Sequence, residues 1–125
     1  SSSLNLMNSR CDEPNANKLR KQSDLVILDF EAYATNFQTG YNLVGTIPTK
    51  YKPVQSGYFE DILMYFPVML SGMNKIAFGR ITASGNVEVY SNGNSTSTIG
   101  YVASDGHIRI HTSWFVKDSD NNESN

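Results

Sequence analysis

Two carboxylates stand two positions apart in the segment Leu28-Asp29-Phe30-Glu31. On an extended chain such residues share a face, with their carboxyls roughly 6.6 Å apart. That is near the separation at which inverting glycosidases hold a general acid and a general base. Any wetted strand face produces the same spacing, and solvation is the simpler account of Asp29 and Glu31. Glu60 and Asp61 are adjacent and point to opposite faces, which defeats a paired role. His107 and His111 share one face of the final apolar-rich segment. Four residues of extended chain set them roughly 13 Å apart, too far for one metal ion. Asp105 lies closer to His107, but that pair needs further ligands from elsewhere, so no metal site is expected. The chain has no Gly-x-Ser-x-Gly turn, no phosphate-cradling loop and no dinucleotide fingerprint. The residues therefore give no reason to expect an enzyme or a cofactor.

Groups suited to binding are easier to find. His107 to Val116 sorts into two rows. Ile108, Ile110, Thr112, Trp114 and Val116 form one, and His107, Arg109, His111, Ser113 and Phe115 the other. The first row reads as core. The second is a polar stripe ending in an aromatic ring. Arg and His donate to sugar hydroxyls, and aromatic faces stack on sugar C–H groups, so the stripe suits a saccharide; it equally suits an ordinary wetted sheet face. Trp114 is a possible sugar platform, although strand parity places it in the core or at a seam between subunits. Arg80 ends an apolar row of Ile76 and Phe78, either to meet a ligand at a subunit edge or to reach solvent. Glu88 and Tyr90 share a face of the returning strand and are expected beside Arg80. The saccharide-binding candidates are thus Arg80, Tyr90, His107, Arg109, His111 and Trp114.

The elements that must position these residues read as β throughout. Strands are expected over Asp24–Ala34, Tyr41–Ile47, Lys75–Thr82, Asn86–Tyr90, Thr98–Ala103 and His107–Val116. Tyr58–Leu70, broken by Pro67, reads as one bent strand or two short ones. Ala83-Ser84-Gly85-Asn86 is a tight hairpin turn and Ser91–Ser97 a loop. The result is about seven or eight short strands at intervals of roughly ten residues, the pattern of an antiparallel sandwich or barrel. Residues 1–22 are polar and read as an arm or loop leading into a domain over 23–117. Residues 118–125 hold no hydrophobe and read as a disordered tail.

The 125 residues suffice for one domain, and their net charge of −2 offers no basic excess for nucleic acid. One cysteine, Cys11, rules out an internal disulfide. No apolar run approaches the roughly 20 residues of a membrane-spanning helix. With neither a signal peptide nor an initiating Met, the chain reads as a domain cut from something longer.

Several strings extend the reading. They are Leu-Asn-Leu-Met-Asn-Ser (4–9), Leu-Arg-Lys-Gln-Ser-Asp-Leu-Val-Ile-Leu-Asp-Phe (19–30) and Gly-Thr-Ile-Pro-Thr-Lys-Tyr-Lys-Pro (45–53). Two more are Ala-Phe-Gly-Arg-Ile-Thr-Ala-Ser-Gly-Asn-Val (77–87) and Gly-His-Ile-Arg-Ile-His-Thr-Ser-Trp-Phe-Val (106–116). From Leu4 to Val116 the chain resembles the C-terminal head domains of tail-tip and baseplate proteins in phages of Gram-positive bacteria. It departs at Ser23 and Lys50, where those heads usually carry Gly. It departs again at Phe78 and Arg80, where related heads use His and Asp pairs, so its ligand contacts must differ. The resemblance implies an all-β, single antiparallel, jelly-roll-like β-sandwich head that is homotrimeric. Such a head adsorbs the phage to host cell-wall saccharide through weak sites, often between subunits, which avidity multiplies. It joins other tail or baseplate proteins through the missing N-terminal part and sits at the virion tail tip, made in bacterial cytoplasm and displayed outside. Two alternatives stand beside this: a structural trimeric tail module with no receptor of its own, and a small glycan-degrading enzyme using Asp29 and Glu31.

Overall fold

The computed structural model describes residues 2–7, 9–54, 61–72, 74–103 and 106–116. Among the described residues eight strands follow in order: β1 (Asn5–Leu6), β2 (Cys11–Gln22), β3 (Leu25–Ala34), β4 (Gly40–Thr46), β5 (Ile62–Leu70), β6 (Ile76–Thr82), β7 (Asn86–Ser91) and β8 (His107–Phe115). A 3-10 turn over Thr49–Tyr51 follows β4. All strand pairings are antiparallel, and the spatial order is β1-β4-β7-β6-β5-β8-β3-β2. The all-β antiparallel architecture expected from the sequence is the one that forms.

Alternation drives it. Val26, Leu28, Phe30, Ala32 and Ala34 of β3 and Ile108 and Ile110 of β8 are fully buried. They face Val44, Val68, Ala77, Ile81, Val87 and Val89 from the other half of the sheet in one hydrophobic core. The sheet folds over between β5 and β8, which pair only at Met69–Arg109 and Leu70–Ile108. Its two ends approach on the opposite side. Ser2 and Leu19 exchange both backbone hydrogen bonds, at 2.8 and 2.7 Å. Beside them the Asn17 side-chain amide stands in for a strand: its Oδ1 accepts from Leu4 N at 2.9 Å, and its Nδ2 donates to Leu4 O at 3.1 Å. The sheet is thereby nearly closed into a barrel.

Two sequence expectations are corrected. The segment 1–22 is not an arm: Cys11–Gln22 forms β2, paired along β3. Its polar composition is that of an edge strand with a wetted outer face, while Cys11 and Leu19 point inward and are fully buried. A register shift between Asp12 and Ala16 absorbs Pro14. Nor is Thr98–Ala103 a strand. Ile99 alone bridges, parallel to Ile76. The Ser91 hydroxyl replaces a backbone partner for Val102, donating to its carbonyl at 3.2 Å and accepting from its N–H at 3.0 Å. β5 continues through Pro67, where it has a partner on one edge only. The expected tail over 118–125 lies outside the described residues, as do residues 58–60 of the apolar stretch.

Cys11 is a core group. Its Sγ donates to Val44 O at 3.2 Å, and burial, aided by the nearby Asp12 charge, pushes its pKa up to about 11 from 9.0. The folded chain therefore holds this proton between those values while the unfolded chain releases it, so folding loses stability there as pH rises. We expect the stability gap between wild type and Cys11→Ala to hold below pH 9.0 and to narrow as the pH approaches about 11 in urea titrations. The thiol is expected to resist a disulfide reagent until the chain unfolds.

Candidate functional site

The outer face of β4-β7-β6-β5 is aromatic. Strand parity turns Tyr41, Tyr90, Phe78 and Tyr65 outward, and register sets Tyr41 across from Tyr90, Tyr90 across from Phe78, and Tyr65 across from Arg80. Arg80 is also the register partner of Glu88, and its Nε donates to Glu88 Oε1 at 2.8 Å. Its guanidinium lies 3.5 Å from the centre of the Tyr41 ring. Burial works against the Arg80 charge, but the hydrogen bond and charge of Glu88 outweigh it and raise its pKa above the usual arginine value. The cation is thus fixed in place, with Tyr41 and Tyr90 packed edge to face at 5.0 Å beside it. Tyr65 is 60% exposed and Phe78 46%. So much exposed aromatic surface on one outer face makes it a candidate binding surface.

The outer face of β2-β3-β8 is charged. Asp29 pairs in register with His111 and with Lys18, and Glu31 with Arg109. His111 Nδ1 lies 3.8 Å from Asp29 Oδ1, and His107 Nε2 lies 3.6 Å from Glu31 Oε2. Asp29 and Glu31 thus lie partly buried on the outer face of β3 beside histidines. Among the described residues no three His, Cys, Asp or Glu side chains gather to hold a metal ion.

Where β5 parts from β8, two cavities adjoin. One, of about 340 Å³, is lined by Ser71, Lys75, Ser95, Ser97, Tyr101 and His107; the other, of about 230 Å³, by Glu31, Met69, Ser71, His107 and Arg109. Local geometry presents these groups. Gly72, at φ +115°, lets the Lys75 stem lie over it, because a Cβ there would meet Lys75 Cδ at 3.2 Å. Asn92 anchors the loop carrying Ser95 and Ser97: its N–H donates to Gly100 O at 2.7 Å and its Nδ2 to Ile99 O at 2.8 Å.

Of the sequence candidates, Arg80 and Tyr90 meet on the aromatic face, and His107, Arg109 and His111 lie on the charged one. Trp114 belongs to neither: it is 6% exposed, on the inner side of β8, and its Nε1 donates to Tyr51 O at 2.7 Å. Its ring is core, as parity indicated, and offers no platform on either outer face. Sequence reasoning did not single out Tyr41 and Tyr65; outward parity marked them, but only the strand order shows that they flank Arg80. The cavity-lining serines, Lys75 and Tyr101 carry no local signal, since they meet only through the fold. No family model matches the chain, and no curated protein does either.

Proposed function

We propose that the domain is a host-adsorption module of a phage tail tip, binding cell-wall saccharide through shallow sites and acting as a homotrimer. The observation that carries this reading is the Arg80–Glu88 pair fixed among Tyr41, Tyr65, Tyr90 and Phe78. A rigid donor and acceptor framed by rings match the alternating hydroxyls and C–H faces of a sugar. Little ordering entropy is lost on binding, because Glu88 and Tyr41 already hold the cation. The loose motifs from Leu4 to Val116 supply the tail-tip context, and repeated heads turn weak contacts into firm adsorption. Of the carboxylates Asp29 and Glu31, only Glu31 lines one of the two cavities, so the pair does not flank a cleft together, which favours binding over hydrolysis.

A second reading has its own observation. Met69 and Ile76 extend the aromatic face, and Met69 is 49% exposed. Met and aromatic enrichment also marks subunit seams, so the face would then join copies of a purely structural trimer. The double variant Tyr65→Ser, Phe78→Ser separates the two. On the adsorption reading, its binding to a panel of Gram-positive cell walls falls at least tenfold, while light scattering still gives three times 13.9 kDa. A fall in mass to one chain identifies the face as the seam and overturns the site assignment. Wild-type protein that decorates no wall in the panel favours the structural module.

A further inference from the structure

We infer that the trough between β5 and β8 is a separate binding site for a small polyhydroxyl ligand bearing an acidic group, a sugar carboxylate or sugar phosphate. Its two adjoining cavities, of about 340 and about 230 Å³, share Leu70, Ser71 and His107 and together fall in the size range of small-molecule sites. Lys75 lines one cavity and Arg109 the other. Neither cation has an ion-pair partner among the described residues, in contrast to Arg80. Their charges therefore remain available to a ligand, and the planar guanidinium suits a carboxylate or phosphate. Between them, Ser71, Ser95 and Tyr101 supply hydroxyls that both donate and accept, the groups a polyhydroxyl body requires.

A second observation points to the same place. Among the described residues, one buried side-chain nitrogen or oxygen has no hydrogen bond, and it is His107 Nε2. At 3.6 Å from Glu31 Oε2 it is just beyond bonding distance. The His107 side chain is 31% exposed, but its Nε2 is shielded; folded proteins rarely leave such an atom unpaired, and functional sites are where that rule is relaxed. Among the described residues, Glu31 is the one carboxylate in the lining of the two cavities. It opposes an anion, and two cations outweigh it.

This inference does not depend on the aromatic face. The test titrates the full chain with glucuronate, glucose 6-phosphate, glucose and inorganic phosphate, followed by calorimetry and by NMR shifts of His107 and Tyr101. Both sugar acids are expected to bind at least tenfold tighter than glucose or inorganic phosphate. Lys75→Gln and Arg109→Gln should each weaken them about tenfold, the scale of one charged hydrogen bond. Glu31→Gln should tighten them a few-fold, and Arg20→Gln, exposed on β2 outside the trough, should change nothing. Glucose binding as tightly as the acids overturns the anion assignment, and phosphate binding as tightly overturns the sugar assignment. No saturation by any of the four, or an equal loss from Arg20→Gln, overturns the site itself. The Tyr65→Ser, Phe78→Ser variant should retain this binding, so failure of the adsorption reading and failure of this site are told apart.

Discussion

Gly79→Ala is expected to cost about 3 kcal/mol, the upper end of what overpacking a core removes. Gly79 lies in β6, opposite Phe66 of β5, and the Phe66 ring covers it. A Cβ at Gly79 would fall 2.3 Å from Phe66 Cε1, 2.5 Å from Cζ and 2.8 Å from Glu88 O. The ring is 3% exposed and has little room to withdraw, and the carbonyl belongs to the β6–β7 ladder. Glycine in a strand interior ordinarily weakens it, so its presence here marks a close approach of an aromatic ring to backbone. Thermal unfolding should show a midpoint lower by about 10 °C. A double-mutant cycle with Phe66→Leu isolates the cause. The alanine should cost at least about 1 kcal/mol less when the ring is gone, because contacting residues couple. Strict additivity would mean that the ring is not what requires the glycine.

Trp114→Ala is expected to cost about 3–5 kcal/mol, and Trp114→Phe about 1–3 kcal/mol. The first removes the largest side chain of β8 from the core. The second keeps an aromatic ring but strips the Tyr51 carbonyl of its donor. That bond spans 63 positions of chain and holds the turn at Thr49–Tyr51 against the end of β8. Chemical denaturation followed by circular dichroism measures both losses. The protein has one tryptophan, so wild-type fluorescence should emit at the short wavelengths of a buried indole and resist iodide until unfolding. On the adsorption reading, Trp114→Phe below its lowered midpoint should bind cell walls as tightly as the unsubstituted chain. A selective loss of adsorption with stability unchanged would return Trp114 to the binding surface.

The contrast between β3 and β2 shows what the sequence makes visible. β3 alternates between buried apolar residues and partly exposed ones, so period-two reading finds its length and its buried face, while its pairing with β8 appears only in the fold. β2 carries only Cys11 and Leu19 as fully buried hydrophobes over twelve residues. Asn17 also turns inward, but its amide is spent on Leu4. Nothing in its composition separates such an edge strand from a loop. The site follows the same logic. Arg80 and Glu88 flank one hairpin, so their meeting is local and was legible. Tyr41 reaches Arg80 only because β4 lies beside β7, and Lys75 faces the same trough as Arg109 only because β5 parts from β8. Thr98–Ala103 misled for the opposite reason: its β-prone residues are held by side chains, Ser91 above all, where a strand partner was expected.

The position of β8 carries one more consequence. The last of the described strands lies between β5 and β3, two strands that are far apart in chain order and do not pair with each other. A chain emerging from the ribosome can zip β2 to β3 and wind β4 through β7. Until residues 107–116 emerge, the apolar inner surfaces of Leu28 and Phe30 on one side and of Phe66 and Val68 on the other still border a gap. The contacts that close it span long stretches of sequence, which slows folding and leaves sticky surface open while it lasts. This strand order is expected to make closure of the core a late step that waits for β8. A nick or stall before that strand is expected to leave an open, aggregation-prone sheet.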